Sequence, residues 1–344
     1  MNYVFFANTI HNFSMPNIST TYMGLALKNP LVASSSGLTN SIDKIVQLHD
    51  KGIGAIVLKS LFEEQINNEV SKVIIKDTQQ SNPTGDENYI SDYVRQNNVQ
   101  QYLDLIRLAK SSVSIPVIAS VNCISGDEWI SFARQIEKAG ADALEINAFI
   151  VPTNRKISSA DMEFKYLDIL SDVRKVVKIP VAMKIGNNFT NLVGMVDKLQ
   201  TNGAAAVVMF NRFYEPDIEL ETLELTSSSI YSSPADIRHS LRWTGIVSGK
   251  IKNIDIAAST GIHDGEALVK LLLAGATVGQ ICSTLYLNGF GQIDEILEFL
   301  KSFMKKWNFR QISDFRGRLS YSKLPNPAMY ERVQFMKYFS GPNS

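Results

Sequence analysis

Only two cysteines, Cys123 and Cys282, occur in 344 residues. That is too few for a disulfide framework and fits a reducing compartment. Neither sign of charge dominates, since 34 Lys and Arg are matched by 34 Asp and Glu. The balance argues against a nucleic-acid groove and against docking on an anionic membrane surface, both of which need clustered basic residues. No apolar run reaches the length that crosses a bilayer. The opening stretch MNYVFFANTIHNFSM carries an apolar patch but lacks the basic start and small-residue cleavage site of a secretory signal. Residues 1–16 therefore read as a poorly ordered N-terminal extension of a cytoplasmic protein. His11, His49, His239 and His263 show no metal-ligand spacing, so no metal site is expected. No G-x-G-x-x-G follows a strand, which argues against a dinucleotide-binding Rossmann unit.

What the chain does have is a strict alternation of short apolar runs and amphipathic stretches after residue 28. The runs beginning at LVASSS (31–36) and AIVLKS (55–60) are followed by six more, at IPVIASVN (115–122), ADALEINAF (141–149), IPVAMKIG (179–186), AAAVVMFN (204–211), DIAAST (255–260) and TVGQICST (277–284). Helical stretches separate them and end repeatedly in glycine, as in DKGIGA, KAGADA, TNGAAA and LAGATV, where a left-handed residue can stop a helix. About eight strand–helix units predict an α/β fold of the TIM (β/α)8 type, although a doubly wound open sheet alternates in the same way. The expected organisation is an extension over 1–16, a barrel over 17–320 and a C-terminal tail over 321–344. Long segments at 61–98, 150–162 and 212–234 interrupt the rhythm and read as loops. All three leave the C-terminal ends of strands, where active sites of barrels lie.

A buried parallel strand is expected to be apolar throughout, yet these strands end in polar residues: Lys59-Ser60, Asn122, Asn147, Lys184, Asn211 and Ser259-Thr260. One such residue is explained by a backbone or water partner at a strand end. The same feature on several strands points to a shared mouth, because catalytic groups of this fold come from several strand ends. Asparagine both donates and accepts, which suits a pyrimidine-like edge. Lys184, inside VAMKIG, needs an anion or electron-rich group to offset its burial. A phosphate-bearing cofactor is suggested by VSGK (247–250), STG (259–261) and CST (282–284), since glycine lets backbone N–H groups approach an anion and the hydroxyls add donors.

These residues resemble the dihydroorotate dehydrogenase family from about Asn17 to Ser320. The similarity is carried by LKNPLVASSSGLT, VLKS, ADALEIN, IPVAMKI, VVMFN and IAASTGIHDGEALVKLLLAGATVGQICSTL. The resemblance implies a TIM barrel with FMN. It implies that Ser35, Ser36, Gly37, Lys59, Ser60, Asn122, Asn147 and Lys184 meet the flavin, Lys184 near its N1–C2=O side, and that Ser248, Gly249, Ser259, Thr260, Gly261, Cys282 and Ser283 hold the phosphate and ribityl chain. Lys59, Asn147, Asn211 and Arg212 would face a dihydropyrimidine-like substrate. The soluble forms it resembles are homodimers, and one type passes electrons to a separate subunit.

The family pattern breaks in its substrate half. The proton-abstracting Cys or Ser is expected three residues after the asparagine that ends strand four, and Ile150 stands there. Thr153 is the nearest hydroxyl and the candidate base. The substrate loop N-x-M-G-x-x-N is missing from 61–98, and Arg212 replaces the usual Ser or Thr after Asn211. Three functions are in contention. They are oxidation of dihydroorotate to orotate for pyrimidine synthesis, the same flavin chemistry on another substrate, and a flavin-binding paralogue without catalysis. The retained lysines favour the first two.

Overall fold

The computed structural model describes residues 15–78, 87–122, 126–212 and 215–331. Residues 1–14 of the expected extension, Cys123, and residues 332–344 of the expected tail lie outside them. Eight parallel strands form the centre: β1 (Leu31–Ala33), β2 (Ala55–Val57), β3 (Val117–Asn122), β4 (Ala143–Asn147), β5 (Val181–Ile185), β6 (Ala206–Met209), β7 (Asp255–Ser259) and β8 (Val278–Ile281). Each pairs with its sequence neighbour, β8 pairs with β1, and β2 pairs with β3, so the sheet closes on itself. This is a TIM barrel, and the open-sheet alternative falls with the β8–β1 ladder.

The barrel helices follow the strands in turn: α1 (Ile42–Asp50), α2 (Glu63–Thr78), α3 (Glu87–Ser112), α4 (Gly126–Ala139), α5 (Ser159–Val176), α6 (Leu192–Thr201), α7 (Ile237–Lys250), α8 (Gly265–Ala274), α9 (Ser283–Asn288) and α10 (Gln292–Lys306). Two of the expected loops carry regular structure. The Asn- and Gln-rich segment 61–98 forms the short strand Leu61–Phe62, all of α2 and the first half of α3. Its polar composition hides an apolar stripe: Ile66 and Val70, four residues apart, are both buried. The segment 212–234 holds an antiparallel hairpin, Pro216–Glu219 with Glu224–Ser227, in which Ile218 faces Leu225. The segment 150–162 is open chain up to α5, whose start is fixed by a capping box between Ser158 and Asp161.

Inward and outward side chains alternate along every strand, as period two demands. Outward residues such as Ile56, Leu144, Val207 and Ile281 pack under the helices. The lowest inward layer is apolar and mostly small: Val32, Ala55, Ile118, Ala143, Ala182, Ala206, Ala257 and Val278. Five alanines leave room at the N-terminal end of the barrel. Tyr22, Met23 and Leu27, from the hairpin Thr20–Tyr22 with Leu25–Leu27, fill that room and close the bottom. The Met23 N–H donates to Asp255 Oδ2 at 2.7 Å and pins the plug to the foot of β7.

Past the barrel, residues 321–331 pack back on α7: Lys250 lies 4.3 Å from the Tyr321 ring centre, and the Tyr330 hydroxyl donates to Leu319 O at 2.6 Å. Among the described residues no helix is long and apolar enough to cross a membrane.

The Tyr22 hydroxyl is fully buried and has no hydrogen-bond partner among the described residues. Burial, with Glu145 and Asp255 nearby, pushes the phenol well above its ordinary value, so it stays neutral. Tyr22→Phe is therefore expected to hold or raise the unfolding midpoint, whereas Tyr22→Ala lowers stability by about 3–5 kcal/mol, the usual scale for emptying an aromatic core site. Denaturant melts of the two variants check both signs.

Candidate active site

One step above the apolar layer, the inward positions are polar on every strand but β2 and β6, which keep Val57 and Val208. Ser34 follows β1, Ser120 lies on β3, Glu145 and Asn147 on β4, Lys184 on β5, Ser259 on β7 and Gln280 on β8, and all are buried. Buried polar groups must find partners, and four of these find one another across the barrel. Lys184 Nζ donates to Ser34 Oγ at 3.3 Å, Ser34 Oγ donates to Gln280 Oε1 at 3.1 Å, and Gln280 Nε2 donates to Glu145 Oε2 at 2.7 Å. Glu145 Oε1 lies 3.6 Å from Lys184 Nζ, an ion pair beyond hydrogen-bond reach. Register sets Asn147 beside Lys184 on adjacent strands, and Asn147 Oδ1 accepts from Asn211 Nδ2 at 2.8 Å.

A cavity of about 370 Å³ opens above this layer. Its lining includes Ser34, Ser35, Lys184, Asn211 and Gln280 from the barrel mouth, Tyr231 and Ser232 from the loop before α7, Ser259, Thr260, Gly261 and Ile262 after β7, and Cys282, Ser283 and Tyr286 after β8. Thr260 and Gly261 both take left-handed backbone, at φ of 75° and 82°. The Thr260 hydroxyl, donating to Phe210 O at 3.1 Å, helps hold this turn, which a β-branched residue adopts only at a cost of about 1–3 kcal/mol. Gly261 is required by space as well, because a Cβ there would lie 2.1 Å from the Ile237 nitrogen. Ser232 N–H donates to Ser283 Oγ at 2.9 Å, and the Ser232 hydroxyl meets His263 Nε2 at 3.0 Å. Tyr231 and Tyr286 form a tilted pair with ring centres 5.3 Å apart.

Of the residues singled out from sequence, Ser35, Lys184, Asn211, Arg212, Ser259, Thr260, Gly261, Cys282 and Ser283 line this one cavity. Ser36, Gly37, Ser60 and Asn147 sit in direct support of it. Ser60 Oγ is 3.0 Å from Ser35 Oγ and 2.7 Å from Ser120 Oγ, and a Cβ on Gly37 would crowd the Tyr286 hydroxyl at 2.8 Å. Arg212 turns its guanidinium toward the loop, donating to Ser229 O, Ile230 O and Asp236 Oδ2 at 2.9, 3.3 and 3.2 Å, and so braces the segment carrying Tyr231 and Ser232.

Five residues fall elsewhere. Lys59 lines a separate groove between α1, α2 and α3. The chain there draws toward the β1 loop, where the Lys59 N–H donates to Thr39 O, and the facing backbone of Ser120 is satisfied instead by the Tyr102 hydroxyl. Asn122 lines a cavity beside α4 and α5 together with Trp129, Phe149 and Ile150. Thr153 is exposed on the loop after β4. Ser248 and Gly249 belong to α7, which precedes β7, so they lie at the N-terminal end of the barrel, opposite the mouth. There Ser248 Oγ donates to Ala274 O at 2.6 Å at the end of α8, and Gly249 makes room for Tyr321. The last turn of a helix that feeds a strand lies at that strand's foot, away from the loops that follow the strand.

Sequence reasoning missed Ser34, Ser120, Glu145, Gln280, Tyr231, Ser232 and Tyr286. Glu145 in ALEIN and Gln280 in VGQI carried the same signal as Lys184, a polar residue inside a buried strand. Ser232 had no signal of its own until folding set it against Ser283.

Burial lowers the His263 pKa, with Ser232, Asp264 and Asp236 pulling the other way. Burial raises the Cys282 thiol, which keeps it protonated, against smaller opposing effects of Ser36 and Lys184. A histidine held neutral in the fold takes up its proton first in the unfolded chain. Its contribution to stability is thus complete above the ordinary value of 6.5 and is lost as pH falls below it. The loss of stability between about pH 6.5 and pH 5 should be shallower in His263→Gln than in the parent, as read from urea melts across that window.

The sequence profile of the family described as dihydroorotate dehydrogenase matches residues 17–304. Among curated relatives, the catalytic subunit of dihydroorotate dehydrogenase B (NAD(+)) of Thermoplasma acidophilum is 25% identical over 307 residues, covering 88% of this chain and 99% of the relative. The protein of that name from Bacillus cereus strain B4264 is 25% identical over 319 residues, covering 88% and 97%. The chloroplastic dihydropyrimidine dehydrogenase (NADP(+)) of Arabidopsis thaliana is 24% identical over 334 residues, covering 88% of this chain and 77% of the relative. With the match spanning the whole barrel, the chain belongs to the dihydroorotate dehydrogenase family.

Proposed function

We propose that this chain is an FMN-dependent oxidoreductase that removes two hydrogens from the CH–CH bond of a dihydropyrimidine, with dihydroorotate as the first substrate and pyrimidine synthesis as the setting. Family membership makes it an oxidoreductase acting on a CH–CH group. The observation that carries the cofactor is the cavity itself. One lysine is buried at its floor, and the loops after β7 and β8 supply its wall with hydroxyls and a left-handed glycine turn.

The donor set fits FMN. Ser232, Ser283 and the Thr260–Gly261 turn offer hydroxyls and backbone N–H groups to a phosphate without a dedicated cation. Lys184 offers an ammonium to the N1–C2=O edge of the ring, where negative charge gathers on reduction, and Ser35 with the neighbouring Ser60 offers hydroxyls near the β1 loop. Bound there, FMN would supply a two-electron hydride acceptor. The Asn147–Asn211 pair supplies both donor and acceptor atoms at the mouth and is the group best built to orient a ring amide.

The side of the mouth formed by β2 to β4 departs from the family pattern. Ile150 stands at the base position, half-buried against Trp129 and Ile169, with its N–H donated to the Tyr166 hydroxyl at 3.3 Å. It holds no proton, and Thr153 is exposed. This favours a second reading, in which the same cofactor serves a dihydropyrimidine other than dihydroorotate; similarity to a dihydropyrimidine dehydrogenase supports it.

The purified protein should be yellow or take up FMN. On anaerobic mixing with dihydroorotate, flavin bleaching should be slow, and Ile150→Ser should speed it by a factor of about 10²–10⁴, the usual worth of a general base. Thr153→Val should leave it unchanged. A colourless protein that cannot take up FMN overturns the cofactor. No bleaching with dihydroorotate, but bleaching with a dihydropyrimidine lacking the carboxylate, selects the second reading.

The assembly we propose is a homodimer that also meets an electron-transfer subunit, since the dihydroorotate dehydrogenase B relatives named above are catalytic subunits. Support for a contact between copies comes from the hairpin after β6. Ile218 and Leu225 share one of its faces by register, while Asp217, Glu219 and Glu224 take the other, and Ile218, Leu225 and the turn residues Leu220 and Leu223 are all exposed. Leu223→Asp with Leu225→Asp should shift the sedimentation coefficient from dimer to monomer.

A further inference from the structure

Lys184 has a buried counter-charge that no step of the proposed reaction uses. Glu145 is 1% exposed, and every link around it is directional: the hydrogen bonds run from the Lys184 ammonium through Ser34 and Gln280 to Glu145 Oε2. Chains of hydrogen bonds aligned in one sense polarise one another. The other carboxylate oxygen, Oε1, receives no hydrogen bond from any described residue and stops 3.6 Å from Lys184 Nζ. An ammonium has three donors, and among the described residues only Ser34 takes one from Lys184. Gln280 therefore holds the carboxylate close enough to offset the cost of burying the cation, and far enough to leave the remaining N–H groups free for the cavity.

We infer that Glu145, tethered by Gln280, is a positioning residue that presents Lys184 to the cofactor and partly cancels its charge, so that the pair sets how readily the bound flavin is reduced. This rests on the FMN reading above. A lone cation at the ring would stabilise the negative charge gained on reduction, and the carboxylate moderates that pull. Neutralising Glu145 leaves the cation uncompensated, which favours the reduced cofactor.

The test is a set of charge-removing variants. Loading with FMN is first measured by fluorescence quenching on the parent protein. Glu145→Gln keeps the shape and is expected to favour the reduced over the oxidised bound flavin at least tenfold, a positive shift of about 30 mV in the two-electron potential. Lys184→Gln should shift it the other way, and Glu145→Gln with Lys184→Gln should return it toward the parent value. If Glu145→Gln does not fold, Glu145→Asp, which retracts the charge by one methylene, should give a smaller positive shift. An unchanged potential in the folded Glu145 variant overturns the inference, because a merely structural glutamate would move melting temperature and not potential. If the parent binds no FMN, the cofactor reading fails, and thermal unfolding of the cofactor-free protein still judges the pair. There the two single changes should cost more together than the double variant does, and additive losses overturn it.

Discussion

A closed ring of parallel strands has one interior, and inward side chains have nowhere else to go. Period-two alternation stacks them in layers, and in this protein the layers change character from one end to the other. The lowest is built from five alanines with Val32, Ile118 and Val278 and is plugged by Tyr22, Met23 and Leu27. The next is largely polar and charged, with Val57 and Val208 the apolar exceptions, and above it the interior opens into the cavity. The site exists because the barrel is filled from below with apolar side chains that need no partners, so that hydrogen-bonding capacity is concentrated at the mouth.

That arrangement puts opposite charges out of water side by side. Glu145 and Lys184 stand on adjacent strands, and Ser34 and Gln280 complete a circuit that crosses the barrel. A buried pair of this kind contributes little to stability by itself, since desolvation consumes most of the attraction. Its value lies in fixing one long, flexible side chain at one place. The loops after β7 and β8 do the complementary work with almost no charge. The Thr260–Gly261 turn, Ser232 and Ser283 form a wall of small donors, and Arg212 stiffens it from behind.

The two sides of the mouth differ. From β5 round to β1 the residues converge on one cavity. From β2 to β4 they disperse: Lys59 lines a groove against α1, α2 and α3, Asn122 lines a cavity beside α4 and α5, and Ile150 buries an apolar chain where a proton acceptor is expected. On the proposed reading, the half that would bind the cofactor is kept while the half that would face the substrate is rebuilt, which is possible because the two draw on different strands and different loops.

The sequence alone determined the strand count, the class of fold and many of the residues that line the cavity from β5 round to β1, because these depend on local signals. Apolar runs, glycine stops and a lysine embedded in VAMKIG are readable without neighbours. It also showed Ile150 where the family pattern places a proton acceptor, since that is a matter of spacing along one segment. Tertiary structure decided what depends on direction and on distant partners. Ser248 and Gly249 resemble phosphate-loop residues in isolation, but a helix ahead of β7 delivers them to the wrong end of the barrel. Lys59 follows β2 closely in sequence, yet its chain draws off toward Thr39 and takes the side chain to another surface. The helices at 61–98 hid their apolar stripe behind Asn and Gln, and Ser232 gained its place only when Ser283 and His263 came to meet it across 51 and 31 residues of chain.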